Sequence, residues 1–173
     1  MRLFVAIPMT HHMKQSLQGI QKEMNRKGYK GSYTRKENLH MTAAFVGEFD
    51  RPERILEAMN RVPIPSITLE LSRLGHFGDL YWVGTKKNPC LEEYVFRLRK
   101  EFQENKIPFD AHPFLAHITV ARRIIAPKNT EINVPETHME LRHVCLMESA
   151  RDADGKVFYR ELGRVSRGIM KEL

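Results

Sequence analysis

Two stretches of the chain, LHMTAAFVG at residues 39–47 and LAHITVAR at residues 115–122, repeat one pattern: a histidine, one apolar spacer and a threonine inside a strand-like run. Side chains alternate along a strand, so His40 and Thr42 share a face, as do His117 and Thr119. The spacers Met41 and Ile118 then point the other way, into a core. Ala44 and Ala121 are expected to continue the polar faces as small groups that leave room for a ligand. With eight histidines and eight threonines in 173 residues, chance predicts about 0.4 such matches. Each copy follows a long helical pattern, and 77 positions separate the two histidines. That is the footprint of an internal duplication, two lobes related by a pseudo-twofold axis.

The rest of the chain reads as alternating strands and helices. RLFVAI (2–7) is a strand. Thr10 caps an amphipathic helix through about Arg26, with Gly28 as its stop. Asp50 is a candidate cap for a short helix opening at Pro52. Residues 66–77 and 80–86 form a hairpin through Gly78-Asp79. In the stretch from Pro89 to Asn105, Leu91, Tyr94, Val95, Leu98 and Phe102 recur at helical spacing. Strands follow at 114–124, 139–149 and 156–162, the last two joined by a turn at Arg151–Gly155. The tail, 164–173, is expected to be frayed or loosely docked.

Composition narrows the class. An apolar fraction of 42% can bury a real core, and the length suits one domain, residues 1–173. No run approaches the ~18 apolar residues of a membrane helix. The apolar opening is broken by Pro8 and lacks the marks of a signal peptide. Cys90 and Cys145 lie far apart without CxxC spacing, which suits reduced thiols in a cytoplasmic protein. No short-spaced Cys/His set suggests a metal site, and no cofactor is expected. A net charge of +7 favours an anionic partner.

Two histidines and two hydroxyls, with no acidic or metal constellation, suit a particular chemistry. Imidazole titrates near neutral pH, so one ring can act as base while the other acts as acid. Displacement at phosphorus is roughly in line, and a pseudo-twofold pair of strands would put one imidazole on each side. Thr42 and Thr119 could donate to the non-bridging oxygens, where charge accumulates. A strained cyclic phosphodiester would open by this route without a metal. The residues alone do not say which histidine is acid and which is base.

Together with the MRLFVAIPM opening, YTRKENLHMTAAFVGE and FLAHITVAR, the paired motifs resemble the 2H phosphoesterase superfamily, and within it the RNA 2′,3′-cyclic phosphodiesterases, also called 2′-5′ RNA ligases. The resemblance implies an α+β fold of two antiparallel sheets related by a pseudo-twofold axis, with helices outside and a central cleft. It implies metal-independent hydrolysis of an RNA terminal 2′,3′-cyclic phosphate to a 2′-phosphate, with possible reverse 2′-5′ ligation. His40 would be the proton donor to the leaving 3′ oxygen and His117 the proton acceptor from water. Thr42, Thr119 and Arg122 would bind the substrate. Relatives commonly have proline before the second histidine, where this chain has Ala116. They often have a bulky residue two after the first threonine, where it has Ala44. By strict alternation Arg122 faces away from His117, and it reaches phosphate only if the strand bends.

Other candidates read as structural. His11 and His12 suit a solvated first turn, and His76, His112, His138 and His143 have no motif around them. Phe45 and Trp82 suit packing, Tyr33 could stack on a base, and Arg97, Arg99 and Lys100 suit a solvated helix face. Arg122-Arg123 fits either a solvated surface or a phosphate track. The expected partner is RNA with a cyclic phosphate end or a small cyclic nucleotide, bound by a monomer away from any membrane. A non-catalytic RNA-binding module, or a phosphodiesterase for ADP-ribose cyclic phosphate, are the alternatives.

Overall fold

The apolar opening forms β1 (Arg2–Pro8), which buries Leu3, Val5 and Ile7 on one face. The computed structural model describes residues 1–168. Thr10 accepts a hydrogen bond from the Met13 amide (3.2 Å) and caps α1 (His11–Arg26), as its sequence signature suggests. Met13, Leu17, Ile20 and Met24 form the buried stripe of α1. Next come β2 (Lys30–Tyr33), a 3₁₀ turn at Lys36–Asn38, β3 (His40–Glu48) and α2 (Pro52–Asn60). The N-cap of α2 is Arg51, with no side-chain cap bond, so Asp50 does not cap it. β4 (Thr68–Phe77) and β5 (Leu80–Thr85) form the expected hairpin. Asn88 accepts from the Leu91 amide (3.0 Å) and caps α3 (Pro89–Glu104), a signal the sequence reading passed over.

Three other boundaries differ from expectation. β6 (His117–Ile125) begins at the histidine itself, so residues 114–116 lie outside it. The run expected as one strand at 139–149 is two, β7 (His138–Glu140) and β8 (His143–Arg151), because they serve different partners: β7 pairs with β4, and β8 with β1 and β9. β9 (Val157–Ser166) continues through Arg164–Ser166, where a frayed tail was expected. The remainder of that tail, 169–173, lies outside the described residues.

The strands form one path in the order β7-β4-β5-β6-β3-β1-β8-β9, with β2 added against β6. Its two halves, β6-β5-β4-β7 and β3-β1-β8-β9, mirror each other about the β3–β6 junction. That junction is a single rung, Met41 opposite Ile118. The two expected sheets are therefore joined edge to edge, and the α+β bilobal architecture holds. The helices cross over in the same symmetric way: α1 follows β1 but packs on β6, and α3 follows β5 but packs on β3. Met41 and Ile118 share one buried apolar cluster with the stripes of α1 and α3, so the helices cover one face of the junction. No helix among the described residues is long and apolar enough to cross a membrane.

Met41 is fully buried at this rung, whereas Phe96 on α3 is 63% exposed. Met41→Ala should cost about 2–5 kcal/mol of stability in denaturant unfolding, and Phe96→Ala under about 0.5 kcal/mol. Equal effects would contradict the seam as a packed core.

Candidate active site

The Met41–Ile118 rung sets the register of everything beside it. In an antiparallel pair, His40 then faces Thr119 and Thr42 faces His117, on the side turned away from the helices. The four motif side chains thus meet at the seam between the lobes.

Both imidazoles are held by one device. The Nδ1–H of His40 donates to the Asn38 carbonyl (2.7 Å), and that of His117 donates to the Leu115 carbonyl (2.6 Å). A carbonyl only accepts, so Nδ1 carries the proton in each ring and Nε2 is the atom presented to the cleft. The His40 Nε2 lies 3.1 Å from Thr42 Oγ1. Each ring also sits against an aromatic pair: Phe4 and Tyr159 beside His40 (5.1 Å each), Phe77 and Trp82 beside His117 (6.0 and 6.1 Å). Trp82 is buried, as expected, and its indole lies over Gly75, where any Cβ would run into the ring.

Charge is not shared evenly. Burial pulls the His40 pKa below its ordinary 6.5; the Asn38 carbonyl opposes this, while the charges of Arg122, His117 and Lys14 add to it. The seam therefore gathers positive charge around a half-buried imidazole, a setting that favours an anion. Among the described residues, no group of three or more His, Cys, Asp or Glu side chains is arranged to hold a metal ion.

Strict alternation fails at the same point in both motifs. Val5 opposes Ala44 and Ala6 opposes Thr42, leaving Ala43 as an extra residue. Likewise Tyr81 opposes Ala121 and Trp82 opposes Thr119, leaving Val120 extra. Each is a β-bulge one residue past the threonine. The bulges turn Ala44 and Ala121 into the core, where they are 1% and 0% exposed, so they do not line the cleft. The position they vacate on the cleft face passes to Phe45 and Arg122. Arg122 thereby comes onto the His117 side, and its charge reaches His40. β2 supports this bend, since Ser32 pairs with Arg122, and Gly31 fits only as glycine: a Cβ there would lie 2.6 Å from the Arg123 carbonyl. Phe45 packs opposite Phe4 under the Arg2 guanidinium (4.8 Å).

Lys14, Phe4, Tyr159 and Phe77 also reach the site, and the sequence reading did not single them out. None has a local signature; each arrives from a distant element. The set-aside histidines stay outside the motif: His76 stacks on Tyr81, His112 pairs with Asp110, and His143 contacts Arg164.

Residues 7–81 match the family described as LigT like Phosphoesterase, a span that contains the first motif. The chain is 26% identical over 172 residues to the RNA 2′,3′-cyclic phosphodiesterase of Methanocaldococcus jannaschii, covering 91% of this chain and 96% of that one. It is 26% identical over 132 residues to the protein of the same name from Thermotoga maritima, covering 70% of each. In structure it is similar to E. coli LigT in apo form, with a TM-score of 0.81 at 24% identity over 95% of this chain and 96% of that one. The resemblance to the 2H phosphoesterases drawn from the motifs holds.

The electrostatics give a direct check. In the free protein, NMR of the ring nitrogens should show His40 titrating below 6.5, and inorganic phosphate should move it upward by favouring the charged ring. A midpoint at or above 6.5 without phosphate would contradict the described burial.

Proposed function

Starting from a chain with the fold of the LigT-like 2H phosphoesterases, we propose that it hydrolyses an RNA terminal 2′,3′-cyclic phosphate to a 2′-phosphate without a metal. The observation that carries this is the register at Met41 and Ile118, which brings two Nε2-presenting imidazoles and two threonine hydroxyls to one cleft. The curated relatives named above carry the same activity in their names.

In this mechanism His117 Nε2 takes a proton from water as the oxygen attacks phosphorus. The bond to the 3′ oxygen breaks on the opposite side, and that oxygen takes the proton from His40 Nε2. The 2′ ester bond survives, so the product is a 2′-phosphate beside a free 3′-hydroxyl. Thr42, Thr119 and Arg122 donate to the non-bridging oxygens, where charge builds up. Burial disfavours the charged form of His40 in the free protein; the phosphodiester anion offsets the surrounding positive charge and favours the protonated ring that delivers the proton. With a 5′-hydroxyl attacking in place of water, and the 3′ oxygen leaving as before, the same groups would form a 2′-5′ bond. The enzyme is read as one cytoplasmic domain, residues 1–173, acting as a monomer.

His40→Ala and His117→Ala should each lower turnover of a 2′,3′-cyclic nucleotide by about a hundredfold or more, with chelator leaving the wild-type rate unchanged. Full activity in either variant, or loss with chelator, would overturn the mechanism. Salt-sensitive RNA binding that survives the double substitution, without turnover, would point to a binding module.

A further inference from the structure

The cleft face of the sheet continues past His117 onto β5 and β4. Trp82 lies opposite Thr119 and shares its face, and Gly75 lies opposite Trp82 in the next strand. Gly75 has no side chain there, so the indole occupies its place. Two side chains of β4 flank that indole. The Phe77 ring stands 5.4 Å from it and 6.0 Å from the His117 ring, and the Arg73 guanidinium stands 5.3 Å from it. Both side chains are exposed, Phe77 by 52%. Phe96 is the other phenylalanine more than half exposed among the described residues, and it lies on α3, behind the sheet. Arg73 forms no salt bridge among the described residues, whereas on the opposite lobe Glu148 holds Arg160 and Glu161 holds Arg164. An exposed ring and an unpaired guanidinium thus stand side by side on the His117 lobe, in a face continuous with the motif cleft. Rings interleaved with cations make a platform for single-stranded nucleic acid: every base offers a face to stack, and every linkage a charge to pair. Water, attacking from the His117 side, needs neither.

We infer that this face of the β4–β5 hairpin binds a second nucleotide of single-stranded RNA, its base stacked on Phe77 and its phosphate paired with Arg73. Which nucleotide this is rests on the proposed function, in which the ribose carrying the cyclic phosphate lies on the His40 side, where its 3′ oxygen takes a proton. The nucleotide on Phe77 is therefore another one of the same strand. A cyclic mononucleotide has no such group to offer, so the surface favours RNA ends over small cyclic nucleotides. The net charge of +7 points the same way.

The test uses 2′,3′-cyclic AMP and a single-stranded adenylate hexamer ending in a 2′,3′-cyclic phosphate. Wild type should prefer the hexamer in kcat/KM. Arg73→Ala should lower kcat/KM on the hexamer by about fivefold or more, through KM, and on cyclic AMP by under about twofold. Phe77→Ala should lose about fivefold or more on the hexamer relative to its own effect on cyclic AMP, a ratio in which any disturbance of His117 cancels; Phe77→Trp should keep the preference. Binding of the hexamer ending in a 2′-phosphate is measured against salt. Its log–log slope should shrink by about 0.7 in Arg73→Ala and stay unchanged in Phe77→Ala. No preference for the hexamer in wild type, equal losses on both substrates, or an unchanged salt slope in Arg73→Ala overturns the inference. If no cyclic phosphate is turned over and yet hexamer binding still depends on Arg73 and Phe77, the proposed reaction fails and this surface stands.

Discussion

One backbone rung, Met41 opposite Ile118, determines what the rest of the molecule can do. Antiparallel pairing fixes which residues lie across from each other, and alternation fixes which face they share. A slip of one residue on either strand would send one histidine into the core. The register is held because both spacers are fully buried in a cluster that also takes the apolar stripes of α1 and α3. Each helix crosses from its own lobe to pack on the other's motif strand, so the seam is clamped from both sides although only one residue pair spans it.

The duplication reaches down to the atoms. Both imidazoles tether Nδ1 to the carbonyl two residues earlier, both lean on two aromatic rings, and both strands bulge one residue after the threonine. His40 is half-buried and faces the positive charge of Arg122, His117 and Lys14; burial first, and then that charge, disfavours its charged form in the free protein.

Much of this was legible in the sequence, for physical reasons that also mark where reading stops. The motif pair, the helical stripes of α1 and α3 and the Thr10 cap all rest on local periodicity. Ala43 and Val120 do not announce themselves as bulges, since a small or β-branched residue suits a regular strand equally well. Parity counting therefore went wrong from that point on, for Ala44, Ala121 and Arg122 together. β2 was missed because KGSY has no apolar alternation; it exists as an edge partner for β6. Lys14 and Tyr159 reach the cleft through tertiary packing, which no local pattern encodes.

The central claim concerns where one phosphorus atom sits relative to two nitrogens. The most direct measurement is a crystal structure with a nucleoside vanadate or sulfate soaked into the protein. The account predicts a single oxyanion within about 3 Å of both the His40 and His117 Nε2 atoms, with the Thr42 and Thr119 hydroxyls on its other oxygens. An oxyanion that touches only one of the two rings, or that binds away from the seam while the cleft stays empty, would contradict it.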